Sequence, residues 1–302
     1  MKILVVGGNG SLGGHSATHL AQKGYDVSVA SRRRPQDGTP MAGLPFLQGD
    51  YVNGDFSPAR LEGFDSIVFA AQNDMRHLPP SEDLNRHLLK ANVEGIPKFV
   101  RSARQAGVRR VVHLGSFYTQ AKPELEKTDF YIHTRRLTCE GVRAETGPGF
   151  DVVAVNPPFM IGAVPGLDSP LINAIVEWAE GNTDVPLFAP LGGTNFMSYR
   201  SLSQAIEGAL LRGEPGKAYL VGDENLSIAD LSNLFFKAAG NPKVVEARAE
   251  QHPIFSELVL PQGPNNWIRY EPDPAETALL GYMRNDVSNG VADALAQYEA
   301  TH

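Results

Sequence analysis

Residues 129–140 read DFYIHTRRLTCE, which sets Tyr131 and Arg135 four residues apart. On a helix that spacing brings two side chains to one face. A phenol there could donate a proton, and a cation beside it could stabilise the phenolate left behind. Without such help a tyrosine ionises near about 10 and is a poor proton shuttle at neutral pH. Arginine offers permanent charge and several donors, but it does not release a proton, so a relay running through an amine at this position would be lost. His133 lies between the two and reads most simply as an exposed helix histidine. Tyr118, two residues after Ser116, is a backup donor whose simplest role is packing.

A second cluster opens the chain. VVGGNGSLGG (5–14) follows the apolar run ILVV and fits two glycine patterns, Gly8-x-Gly10-x-x-Gly13 and Gly7-x-x-Gly10-x-x-Gly13. Glycines let a backbone approach a pyrophosphate, while the amides and dipole of a following helix hold its charge. Gly7, Gly10, Ser11, Leu12 and Gly13 are therefore the expected dinucleotide contacts. At the end of the next strand-like run, SRRR places Ser31, Arg32 and Arg33 where an NAD-binding chain usually has a carboxylate. Guanidiniums there suit a 2′-phosphate, so NADP is favoured over NAD.

These groups need a frame to carry them. Apolar strand-like runs occur at 2–6, 27–31, 45–48, 66–70, 110–115 and 151–155, and a helical apolar pattern runs through 83–106. Such alternation predicts an α/β fold, a Rossmann-type doubly wound parallel sheet with right-handed crossovers. Its ligands would bind at the carboxyl ends of the strands. After residue 156 prolines become frequent, a helix pattern covers 201–212, and KAYLVG (217–222) reads as a strand. The expected organisation is a nucleotide-binding domain at 1–156 and a smaller, partly discontinuous substrate-binding region at 157–302. The chain would return to the first domain around 194–212.

The landmarks GGNGSLGG (7–14), QGDYVN (48–53), VFAAQ (68–72), NVEG (92–95), RRVVHLGS (109–116), VNPPFMIG (155–162), SYRSLSQAIEGAL (198–210) and LLGY (279–282) occur in order. Together they make the chain resemble an extended short-chain dehydrogenase/reductase, the family also called NAD-dependent epimerase/dehydratases. Within it, the likeness is to the dihydroflavonol reductase and 3β-hydroxysteroid dehydrogenase group. The resemblance implies that Asp50, with Tyr51 beside it, lies near the adenine and that Ala70 and Ala71 pass under the cofactor. It also implies that Asn92 orders the helix beside the active site, that Ser116 holds a substrate carbonyl and that Pro157 ends the strand beside the nicotinamide. The family's signature is Tyr-x-x-x-Lys, whose lysine also reaches the cofactor ribose. Here Tyr131 is followed by Arg135, and a second register, with Ile132 and Arg136 in those places and Glu140 as the acidic residue eight on, stays open.

The implied activity is reduction of a carbonyl, or oxidation of an alcohol, on a small and largely apolar or ring-containing molecule, with PPFMIG and Phe196–Met197 as apolar pocket walls. One alternative is a family member that binds NADP without turnover, as a redox sensor or scaffold. Another is a sugar-nucleotide epimerase or dehydratase, for which Arg200 and Arg212 are the candidate diphosphate ligands.

Bulk properties narrow the partners. A formal charge of −7 argues against nucleic acid. One cysteine, Cys139, excludes an internal disulfide framework, and the eight histidines show no ligand spacing backed by carboxylates, so no metal is expected. The apolar start stops at Gly7, short of a signal core or membrane span, which places the protein in the cytoplasm with no membrane partner. The resemblance allows a homodimer.

Overall fold

The run KILVV forms strand β1 (Lys2–Val6), buried in all but its first residue. A strand apolar on both sides belongs inside a parallel sheet covered on both faces. The computed structural model describes residues 1–256 and 259–302. In it β1 is followed by β2 (Asp26–Ser31), β3 (Phe46–Gln48), β4 (Ser66–Phe69), β5 (Arg110–Leu114) and β6 (Asp151–Asn156). Each of these lies within a residue or two of its sequence-predicted run. The remaining strands are β7 (Phe159–Ile161), β8 (Phe188–Pro190), β9 (Gly193–Ser198), β10 (Ala218–Leu220), β11 (Glu224–Ser227) and β12 (Glu246–Arg248).

The main sheet has seven strands in the order β10-β6-β5-β4-β1-β2-β3, and every pair in it is parallel. The order reverses between β1 and β4, which makes the crevice at their carboxyl ends the switch point where such sheets bind ligands. Successive β1 residues feed opposite layers. Ile3 and Val5 pack with α1 (Ser11–Gln22) on one face. Leu4 and Val6 pack with Phe69, Phe99 and Val142 on the other.

The short α2 (Pro58–Leu61) precedes β4. The helical pattern over 83–106 is one continuous helical segment with an interruption. α3 (Leu84–Leu88) runs into a π-helical turn at Leu89–Glu94 and resumes as α4 (Gly95–Gln105). Single π turns inside helices are frequent at functional sites. The helices that follow are α5 (Tyr118–Ala121), α6 (Phe130–Arg143), α7 (Pro170–Glu180), α8 (Tyr199–Arg212), α9 (Ile228–Ala238), α10 (Pro274–Leu280) and α11 (Val287–Thr301).

Beyond β6 the chain builds a three-stranded sheet, β11-β9-β7, and a pair, β12-β8. Residues of α7, α9 and α11 form a second core with them. The chain comes back to the main sheet in two places. Leu202, Ala205 and Ile206 of α8 do pack beneath the sheet. The strand that joins it, however, is β10, whereas β9 stays in the smaller sheet because its partners are β7 and β11. Among the described residues no helix is long and apolar enough to cross a membrane.

Candidate functional site

The glycine loop lies where β1 meets α1. Gly7 has a φ of +82°, and a Cβ built on it would sit 2.7 Å from the Ala71 nitrogen. The loop is thus pressed onto the end of β4, which is why Ala70 and Ala71 share its neighbourhood. A Cβ on Gly13 would meet the Gly7 carbonyl oxygen at 2.4 Å, so α1 can approach only with glycine there. Gly10 is exposed and precedes α1, whose first amides receive no side-chain cap. Free amides at a helix start, with bare backbone in front of them, suit a pyrophosphate. Ser11 faces the Tyr199 phenol and Leu12 packs beside Met41, so these two buttress the loop from behind.

At the end of β2 the turn is braced through its carbonyls. Ser31 Oγ donates to the Arg33 carbonyl at 2.5 Å, Asn9 Nδ2 donates to the same oxygen, and Gln48 Nε2 donates to the Arg32 carbonyl at 3.1 Å. The Arg32 and Arg33 side chains are exposed, and no carboxylate pairs with either among the described residues. Arg34 instead covers the Phe46 ring. Asn9 and Gln48 escaped sequence reading because bracing a distant backbone leaves no local pattern.

Asp50 accepts from the Val52 amide at 2.9 Å, the turn-cap role its position also permits. Tyr51, expected beside Asp50 near the adenine, turns its side chain inward. Its ring is buried edge-on to Phe69, and burial pushes its phenol pKa upward. Its oxygen accepts from Asn73 Nδ2 at 2.5 Å. Asn73 in turn exchanges two hydrogen bonds with Asn92: its amide donates to Oδ1 at 3.1 Å and its carbonyl accepts from Nδ2 at 2.9 Å. Asn92 sits on the π turn, so that turn and the loop after β4 are locked together.

Helix α6 turns Tyr131 and Arg135 toward the end of β5. Asp129 caps α6 by accepting from the Ile132 amide at 3.1 Å, which puts Tyr131 in the first turn. Arg135 Nη1 donates to the Tyr131 hydroxyl at 3.3 Å, and its Nη2 donates to the carbonyls of Gly115 at 2.5 Å and Leu114 at 3.3 Å. Ile132 is 1% exposed, and Arg136 pairs with Glu126 and with Glu140 at 2.7 Å. Ile132, the tyrosine position of the second register, is thus a core side chain, and Arg136 belongs to an outer ion-pair cluster. His133 belongs to that cluster, 3.7 Å from Glu126.

Ser116 follows the clamped carbonyl of Gly115 and is half-buried. Its backbone is held on both sides. The Gly115 amide donates to Val155 at 2.8 Å, the Phe117 amide donates to the Pro157 carbonyl at 3.2 Å, and Thr119 Oγ1 donates to the Ser116 carbonyl at 2.8 Å. Tyr118 packs against Phe117 with its oxygen 3.5 Å from Gln262 Oε1, and burial pushes its pKa upward. His113, on β5 behind this site, is fully buried, and burial together with Arg135 lowers its pKa to about 3. Cys139 is buried as well.

Three expectations for the substrate side change. Phe196 and Met197 lie in two different cores with no exposed surface, so they are packing residues, not pocket walls. Arg200 is tied to Asp286 and Asp293, and Arg212 donates to the carbonyls of Leu279 and Leu280, so neither is free for a diphosphate.

A switch-point glycine loop, an arginine-bearing β2 end and a tyrosine–cation pair beside a strand-end serine define an oxidoreductase-type nucleotide-binding enzyme. The chain belongs to the NAD dependent epimerase/dehydratase family, which matches it over residues 3–222. It is 27% identical to sterol demethylase protein B of Methylococcus capsulatus, over 80% of this chain and 76% of that one. It is 26% identical to UDP-glucose 4-epimerase of Streptomyces lividans, over 80% of this chain and 82% of that one. Among solved structures, a UDP-glucose-4-epimerase from Stenotrophomonas maltophila with bound NAD superposes with a TM-score of 0.77 at 17% identity, covering 100% of this chain and 98% of the other.

Proposed function

We propose that this protein is an NADPH-dependent reductase, or in reverse an alcohol dehydrogenase, acting on a small, largely apolar or ring-containing molecule. The observation that carries the reading is the Arg135 guanidinium, hydrogen-bonded at once to the Tyr131 phenol and to the backbone just before Ser116. Ser116 donates its hydroxyl to the substrate carbonyl oxygen. Tyr131 delivers its proton to the alkoxide that forms there, and the Arg135 charge compensates the phenolate left behind. A bound NADPH supplies the hydride.

Gly7, Gly10 and Gly13 admit the pyrophosphate, the exposed Arg32 and Arg33 hold the 2′-phosphate, and Ala70, Ala71, Asn92 and Pro157 shape the floor of the site. The sterol named in the Methylococcus capsulatus relative supports a ring-containing substrate. The engagement of Arg200 and Arg212 counts against the sugar-nucleotide reading.

The test follows NADPH oxidation by its absorbance with cyclohexanone, 1-decalone and a 3-ketosteroid. Tyr131→Phe is expected to lower kcat by about 10²–10⁴-fold, the usual worth of a positioned proton donor, while sparing NADPH affinity. A Tyr131→Phe variant that keeps wild-type turnover would end this reading. NADPH binding with no turnover of any ketone would favour the binding-only alternative.

A further inference from the structure

Arg135 is a buried cation with an unexpected set of partners. It is 6% exposed, and among the described residues no carboxylate pairs with it. A buried charge without a counter-ion is costly, so its hydrogen bonds show what it is kept for. One edge of the fork meets the phenol of Tyr131, and the other meets the last carbonyls of β5, Leu114 and Gly115. Its Nε is buried with no partner among the described residues.

The Gly115 end of that clamp is rigid. A Cβ there would fall 1.8 Å from Asn156 Oδ1, and the neighbouring amides of Gly115 and Phe117 are bonded to Val155 and Pro157. Ser116 lies between those fixed points. The guanidinium therefore joins the Tyr131 hydroxyl to the residue just before Ser116.

We propose that Arg135 is a positioning residue that ties the end of β5, and with it Ser116, to the Tyr131 phenol, and that it does not hold the cofactor ribose as the lysine of the family pattern is expected to do. A planar fork reaches the phenol and both carbonyls together, whereas a lysine ammonium is a single point of charge and loses one side of the clamp. Restoring the family's residue should accordingly harm the enzyme. The kinetic part of this proposal rests on the reductase reading; the cofactor-binding and positional parts do not.

The experiment compares wild type, Arg135→Lys and Arg135→Met. NADPH affinity is read from its fluorescence, 1-decalone reduction from initial rates, and the Ser116 and Tyr131 positions from crystal structures with NADPH. Both variants are expected to bind NADPH within threefold of wild type, to keep KM for NADPH within threefold, and to lose at least tenfold in kcat. In Arg135→Met, the Tyr131 hydroxyl should shift relative to the fixed Ser116 backbone by more than 1 Å. A tenfold or greater loss of NADPH affinity in a folded Arg135→Lys would overturn the proposal, since it would make residue 135 a cofactor ligand. Wild-type or higher kcat in Arg135→Lys, or an unmoved Tyr131 in Arg135→Met, would overturn it too. If wild type reduces no ketone, the reductase reading fails alone, and NADPH affinity with the position of Tyr131 still decides the clamp.

Discussion

Gly7→Ala tests the contact on which the nucleotide loop depends. Gly7 and Gly24 have nearly the same backbone angle, φ of +82° and +87°, but different surroundings. A Cβ on Gly24 meets nothing within 4 Å, whereas one on Gly7 lies 2.7 Å from the Ala71 nitrogen and 2.9 Å from its Cα. Gly24→Ala should therefore lose only the cost of a left-handed alanine, about 1 kcal/mol. Gly7→Ala loses that and must also separate the loop from β4. The separation is about 0.7 Å, the gap between 2.7 Å and the 3.4 Å at which ordinary contact begins. Backbone atoms at the end of a central strand cannot rotate aside, so overpacking adds about 1–3 kcal/mol. At about 2.1 cal/mol/K of unfolding entropy per residue, 302 residues give about 1.6 °C per kcal/mol, so the melting temperature should fall by about 1–2 °C in Gly24→Ala and about 3–6 °C in Gly7→Ala. NADPH affinity should drop only in Gly7→Ala. Equal melting temperatures for the two variants, or unchanged NADPH affinity in Gly7→Ala, would refute the packing argument.

Two further predictions concern charge. The turn at Arg32 and Arg33 is braced by bonds to its carbonyls, so Arg32→Ala with Arg33→Ala should leave the fold intact. It should reduce the preference for NADPH over NADH by at least tenfold, measured as the ratio of the two dissociation constants; an unchanged ratio would exclude these side chains as phosphate ligands. His113 is neutral in the folded chain, its pKa lowered to about 3 from an ordinary 6.5. Between those values the unfolded chain binds a proton that the folded chain does not, so stability falls as pH falls from 6.5 towards 3, by about 1.4 kcal/mol per unit inside that window. His15, lowered to about 4 mainly by burial, acts in the same direction. Urea unfolding at pH 7, 5.5 and 4.5 should show a shallower acid decline in His113→Leu than in wild type, and parallel declines would contradict this assignment.

Periodicity and composition carried much of this protein. The apolar runs located β1 to β6 because a strand covered on both faces has to be apolar throughout, and the glycine spacing marked the phosphate loop because close backbone approach excludes a Cβ. The residue types at 131, 135 and 31–34 named the chemistry in outline. Other features lie outside any local pattern. The π turn at Leu89–Glu94 looks like ordinary helix in the sequence, since its purpose, the Asn92–Asn73 exchange, joins residues far apart in the chain. Tyr51, Phe196 and Met197 resemble site residues by type, but packing assigns them to cores.

The choice between Tyr131 with Arg135 and Ile132 with Arg136 shows where the division falls. In sequence the two registers differ by one residue and both offer a cation four places on. A one-residue step turns a helical side chain through about 100°, so only the packing of α6 against the end of β5 decides which pair faces the site. The sequence by itself determined that a phenol and a guanidinium would share a helix face. The tertiary structure decided that the guanidinium points inward to the carbonyls of Leu114 and Gly115, because those carbonyls come from a strand that the helix meets only when the chain is folded.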